Sequence, residues 1–204
     1  MLTWVTRLPQ QIVKRDIYVT TLQKALEIKK RCFVKPSIGK FFRSGLYNQK
    51  SLSKATKNLP NNMLVQIQEP VIWTAEYRCF VVEKRTVSVS SYFSNSHQLF
   101  FNASNSELKE AKRFANSIFE EYDIDTPPSF TLDIGIIKSE GWAVVECNEA
   151  WAAGIYSCDP VKVLKALLKA SIPIKKFSEK YKKWDAKENF LSVFSEPFYS
   201  LEGY

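Results

Sequence analysis

Between Asn105 and Tyr122 the apolar residues Leu108, Ala111, Ala115, Ile118, Phe119 and Tyr122 fall at three- and four-residue spacings, with charged residues filling the gaps. That period predicts an amphipathic helix whose stripe is core, capped by polar residues around Asn105 and Ser106. A second helix is expected to begin near Asp159-Pro160, because an Asp N-cap with proline at the first helical position is a strong start signal. In the N-terminal part, TTLQKALEIKK carries Leu22, Ala25 and Leu26 at helical spacing, RCFVKP reads as a short strand stopped by Pro36, SLSKATKNLP as a helical turn and MLVQIQ as a strand. Elsewhere the period changes to two. EYRCFVVEKRTVSVSSYF predicts a hairpin turning at Lys84-Arg85, and SFTLDIGIIKSEGWAVVECN predicts a second hairpin with its turn at Lys138 to Gly141.

Register follows from the turns. In the first hairpin, Glu76, Arg78, Phe80 and Val82 are expected on one face opposite Phe93, Ser91, Val89 and Val87. A guanidinium then shares an apolar face and requires an anion, since an unpaired buried charge costs several kcal/mol. Glu76 and a bound phosphate both qualify. In the second hairpin, pairing Lys138 with Gly141 sets Asp133 directly against Glu146, while alternation puts Trp142, Val144, Glu146 and Asn148 on one side. Opposed carboxylates have Cβ atoms about 4.5 to 5.5 Å apart and repel one another. Two carboxylates and an amide oxygen form a hard donor set of the kind Mg²⁺ takes beside substrate phosphates. The plainer reading is a polar hairpin edge.

Composition narrows the classes. The chain has 204 residues, 45% of them hydrophobic and 14% aromatic, enough to build a real core as one domain or two small lobes. Four cysteines, Cys32, Cys79, Cys147 and Cys158, are widely spaced and there is one histidine, which argues against a zinc site or a disulfide framework and for reduced thiols in an unexported cytoplasmic protein. No stretch approaches the ~20 apolar residues of a membrane span. His97 lies in the polar stretch SNSHQLFFN without a nearby acid or G-x-S-x-G elbow, so a hydrolase triad is not expected, and the sequon at Asn102 is discounted. The net charge of +8 gathers toward both ends and points to an anionic partner or, for the C-terminal lysines, to a solvated surface. Lys35 closes a strand before a glycine-containing loop with Lys40 and Arg43, a cradle for oxyanions that is not a Walker A motif.

Taken in order, Leu8-Pro9, Arg15, Lys35-Pro36, Glu76-Tyr77-Arg78, Asp133 and Val145-Glu146-Cys147-Asn148 resemble the ATP-grasp fold, and within it the clade named for two arginines and a lysine. The resemblance implies an α+β fold of two lobes with largely antiparallel sheets clasping a nucleotide cleft, with residues 1–70 as the first lobe, 71–171 as the second and 172–204 as a basic extension packing on the core. It further implies ATP and Mg²⁺ as cofactors and ligation of a carboxylate to an amine through an acylphosphate. Lys35, Lys40 and Arg43 would reach the phosphates, and Gln68, Glu69, Pro70, Val71 and Ile72 would line the adenine hinge. Arg15 and Arg78 would neutralise phosphate or hold an anionic substrate, with Glu76 orienting Arg78, and Asp133, Glu146 and Asn148 would hold the metal. ATP-grasp ligases commonly carry an additional N-terminal domain, for which Lys35 stands too near the start, so the loop EAWAAGIYSC with Trp151 and Tyr156 becomes the candidate substrate contact. Those aromatics serve equally as packing. The competing readings are a non-catalytic basic nucleic-acid-binding protein and a nucleotide-binding scaffold; the first lacks a stacking platform or groove helix.

Overall fold

The computed structural model describes residues 4–37, 39–94 and 103–185. The expectations for His97, the sequon at Asn102 and the end of the basic extension lie outside them. The chain forms two compact units, divided after Pro70.

Residues 15–70 carry a four-stranded antiparallel sheet in the order β1 (Ile17–Thr21), β4 (Leu64–Gln68), β2 (Cys32–Pro36), β3 (Gly45–Tyr47). Cys32, Val34, Val65 and Ile67 alternate onto one face and form a core with Leu22, Ala25, Leu52 and Met63. The helices α2 (Leu22–Ala25) and α3 (Gln49–Ala55) supply part of it, and α3 is fixed by a reciprocal cap between Asn48 and Ser51. Two expectations change. The helix read in TTLQKALEIKK shrinks to one turn, because Val19, Thr20 and Thr21 are β-branched and pair with β4. Part of the basic glycine segment is a strand, since Gly45 to Tyr47 pair with Val34 to Cys32.

The other unit is a second antiparallel sheet in the order β6 (Arg85–Ser94), β5 (Trp73–Val82), β7 (Ser129–Ile137), β8 (Gly141–Asn148). Helix α4 (Asn105–Glu121) buries Ala111, Ala115 and Ile118 against it and starts in a capping box of Ser104 with Glu107. Helix α5 (Pro160–Ala170) begins at the Asp159 N-cap, whose side chain accepts from the backbone N–H groups of Val161 at 2.9 Å and Lys162 at 3.3 Å. Its Val163 and Ala166 pack with Phe80, Ala150 and Cys158. Tyr77 and Phe114 of α4 both pack on Trp142, with ring centroids 5.2 and 5.8 Å away. Odd positions of β5 therefore face α4, and even ones, Arg78 among them, face the α5 side.

The N-terminal stretch, expected with the first lobe, packs here instead. Trp4 stands 5.7 Å from the Phe130 ring and donates its indole N–H to the Asp125 carbonyl at 2.9 Å, and α1 (Gln10–Val13) follows it. The start of the basic extension, up to Ser178, also groups with this unit, whereas 179–185 group with the other.

The first hairpin turns one residue earlier than expected, and the second turns through three residues where two were expected. Glu83 and Lys84, with φ of 48° and 62°, form the two-residue turn of β5–β6 and pair Val82 with Arg85. Two bulges then move the register, so Phe80 pairs with Ser88 and Arg78 with Ser90, and only Glu76 meets its expected partner Phe93. In β7–β8 the turn pairs Ile137 with Gly141, not Lys138. A bulge at Val145 restores the difference, and Asp133 does face Glu146. The same bulge separates faces: Val144 shares the Ile134 side with Trp142, and Glu146 and Asn148 share the Asp133 side. Among the described residues no helix is long and apolar enough to cross a membrane.

Candidate functional site

Arg78, Asp133 and Glu146 form one row across β5, β7 and β8, because directly paired residues of an antiparallel ladder point to the same face. Asp133 is fully buried and takes the Arg78 guanidinium in a two-point grip, Nε to Oδ1 at 2.9 Å and Nη2 to Oδ2 at 2.6 Å. Burial alone pulls the guanidinium pKa down. The hydrogen bond and charge of Asp133, helped by Tyr156 and Tyr92, outweigh it and hold the group above its ordinary range. The buried guanidinium therefore takes its anion from Asp133 on the neighbouring strand, where Glu76 or phosphate was expected. Glu76 accepts the phenol O–H of Tyr92 at 2.5 Å.

The loop after β8 folds onto the same arginine. Arg78 Nη1 donates to the Gly154 carbonyl at 3.2 Å, and the thiol of Cys158 reaches the Ser90 hydroxyl at 3.4 Å. Tyr156, at φ 47°, lies nearly parallel to Tyr92 with centroids 5.1 Å apart, and the guanidinium carbon is 5.0 Å from one ring and 5.5 Å from the other. Both rings can attract the cation. Burial first, then the charges of Asp133 and Glu76, raises the Tyr92 phenol well above its ordinary range and keeps it neutral. Tyr92 was missed in the sequence because it lies where the β5–β6 register slips between Ser91 and Phe93, so alternation does not assign it to the Arg78 face. Trp151 is mostly exposed. One row further along, Asn148 pairs with Thr131 and donates Nδ2–H to Glu146 Oε1 at 2.9 Å.

The 15–70 unit gathers a different set. Arg15, 1% exposed, donates Nε–H to Gln68 Oε1 at 3.0 Å, and Gln68 Nε2 donates to Gln66 Oε1 at 2.6 Å. Lys35 pairs with Gln66 and Phe33 with Gln68, so these side chains share the sheet face opposite the core. Lys40 and Arg43 are exposed on the segment between β2 and β3, where Gly39 takes a φ of 65° and Tyr47 donates its hydroxyl to the Arg43 carbonyl at 2.5 Å. Of the expected hinge, the Glu69 N–H bonds the Asp16 carbonyl at 2.9 Å, and Ile72, largely exposed, accepts from Lys138 N at 2.9 Å. Pro70 is exposed and Val71 half-buried.

A family model described as an ATP-grasp domain of the R-two-K clade, family 2, matches residues 13–166. The chain belongs to this family. Its two α+β units with antiparallel sheets are the ATP-grasp fold. No curated protein matches the chain. Solved structures similar to it include D-alanine–D-alanine ligase of Bacillus anthracis, at 16% identity and a TM-score of 0.46 over 78% of this chain and 62% of that one. The ATP-grasp ligase PsnB, complexed with a minimal precursor, matches at 18% identity and a TM-score of 0.48 over 83% and 58%. D-alanine–D-alanine ligase of Coxiella burnetii matches at 13% identity and a TM-score of 0.47 over 95% and 59%. The chain thus spans about three fifths of the length of these proteins.

ATP-grasp domains work with Mg²⁺, and the donor set of this ATP-grasp domain fits one. Among the described residues no three acidic, histidine or cysteine side chains cluster as a metal site by themselves. Glu146 and the amide of Asn148 supply oxygens side by side. Asp133 adds a carboxylate on the same face, directly across from Glu146.

Proposed function

We propose that this ATP-grasp domain binds ATP with Mg²⁺ and joins a carboxylate to an amine. The observation that carries the proposal is the row Arg78, Asp133, Glu146 with Asn148 beside it, where a held guanidinium adjoins an oxygen donor set. Three of the five N–H groups of Arg78 are committed to Asp133 and Gly154, and the remaining two are donors for a phosphate or carboxylate. Lys35, Lys40 and Arg43 supply further positive charge for the phosphates. Arg15 is buried and acts through the Gln68 amide it holds, and the Glu69 to Ile72 segment is the adenine hinge. Glu146, Asn148 and Asp133 would hold Mg²⁺, which would neutralise phosphate charge.

In the reaction a carboxylate oxygen attacks the γ-phosphorus, the bond to the ADP oxygen breaks, and an acylphosphate forms. The amine nitrogen then attacks the acyl carbon, inorganic phosphate leaves, and the amine gives up a proton to solvent. Such chemistry asks the protein for alignment and charge neutralisation, with no covalent enzyme nucleophile. The substrate is an amino-acid or peptide carboxylate, and the exposed Trp151 is the side chain best placed in its loop to meet one. Tyr156 packs on Arg78 and orients it. The reaction class is tested by incubating the protein with Mg-ATP, amino acids or peptides, and hydroxylamine. Hydroxamate and ADP should appear together; AMP and pyrophosphate in their place would contradict the acylphosphate route.

A further inference from the structure

Gln66 lies in the middle of β4, with nothing in its sequence context to mark it. Its polarity is set from a distance. Arginine has only donors, so the Gln68 amide must turn its oxygen to Arg15, and its Nε2 must then donate to Gln66. Gln66 spends its carbonyl oxygen on that bond, which leaves Nε2 as its outward group. The order does not depend on how either amide is drawn, because reversing one would set two donors or two acceptors together.

Among the described residues nothing accepts from Gln66 Nε2, although Gln66 is only 3% exposed. That N–H is not one of the fully enclosed polar groups that lack a partner, so it opens onto the surface of the sheet face it shares with Lys35. The ladder partner of Gln66 on β2 is Lys35, itself a donor only, and the Cβ atoms of such a pair stand about 5 Å apart. An amide N–H beside an ammonium calls for an acceptor that carries negative charge and more than one lone pair. A phosphate oxygen meets both conditions.

We infer that Gln66 is a phosphate-binding residue, donating from Nε2 to a nucleotide phosphate oxygen that the Lys35 ammonium also engages. The inference rests on the ATP reading above and adds to it a neutral donor whose direction Arg15 fixes through Gln68.

The full chain is titrated calorimetrically with Mg-ATP and, separately, with inorganic tripolyphosphate, as wild type, Gln66→Glu and Gln66→Met. Gln66→Glu keeps an acceptor for Gln68 but replaces the outward donor with an anion; Gln66→Met keeps the shape and removes the polarity. Affinity for both ligands should fall about tenfold in Gln66→Met, as expected for one hydrogen bond to a charged group, and about a hundredfold in Gln66→Glu. If Gln66→Met does not fold, Gln66→Glu carries the comparison. Wild-type affinity in a folded variant overturns the inference and leaves the ATP reading standing. A loss confined to ATP, with tripolyphosphate binding intact, overturns the phosphate assignment. Wild type that binds neither ligand overturns the ATP reading and the inference with it.

Discussion

In the β5–β8 sheet the row Arg78, Asp133, Glu146 finishes in carboxylate and amide oxygens, whereas in the β1–β4 sheet the line Arg15, Gln68, Gln66 finishes in an N–H donor next to Lys35. Each sheet buries its apolar alternation on one face and lines up polar side chains on the other, and each line contains a buried arginine. The difference lies in what each arginine meets at Nε. Asp133 meets Arg78 with a full charge and a two-point grip, and Glu146 is the next carboxylate in the row. Gln68 meets Arg15 Nε with a neutral amide, which passes a donor down the line. One face therefore ends in carboxylate and amide oxygens, and the other in an amide N–H beside an ammonium.

The contrast can be broken most forcefully at Asp133. Asp133→Ala leaves the Arg78 guanidinium buried without its anion, and denaturant unfolding should show a loss of about 3 to 5 kcal/mol. Arg78→Met with Asp133→Leu should recover much of that, because removing both partners removes the unpaired charge. Gln68→Met should cost less, about 1 to 3 kcal/mol in the same measurement, since the bond it removes from Arg15 Nε is that of a neutral amide. Equal losses at the two sites would erase the distinction. Smallest is Tyr92→Phe, about 1 kcal/mol at neutral pH for the bond to Glu76.

Alkaline pH sharpens that last case. Tyr92 is raised in the folded protein, so its contribution is complete below the ordinary tyrosine value near pH 10 and is lost as pH rises beyond it. Tyr77, pushed up to about 12 by burial and then by Glu107 and Glu110, acts in the same direction. Wild type should therefore lose stability from pH 10 upward, and Tyr92→Phe should lose less over the same range, as thermal melts across pH would show.

Element type was largely legible because α4, α5 and the two hairpins are long enough for their period to dominate. The strands β1 and β3 were not, for opposite reasons: β1 is fused to a helical turn at Thr21, and the three residues of β3 look like loop. Register was the least visible property. Asp133 met Glu146 as expected only because a longer turn and the Val145 bulge cancel, while in β5–β6 an early turn met two bulges and moved Arg78 to Ser90. Bulges carry no reliable residue signature here, yet they decided that Trp142 and Glu146 occupy different faces. Gln66 escaped notice for a related reason. Its significance lies in a hydrogen-bond direction set by Arg15, fifty-one positions away in sequence, and short-range patterns hold no trace of it.

The most direct test of the acceptor face is calorimetric titration with ATP, with and without Mg²⁺, on wild type and Glu146→Ala. Wild type should bind ATP more tightly with Mg²⁺ present, and Glu146→Ala should lose that dependence while remaining folded. ATP affinity that ignores Mg²⁺ in wild type, or keeps its full dependence in Glu146→Ala, would contradict the account.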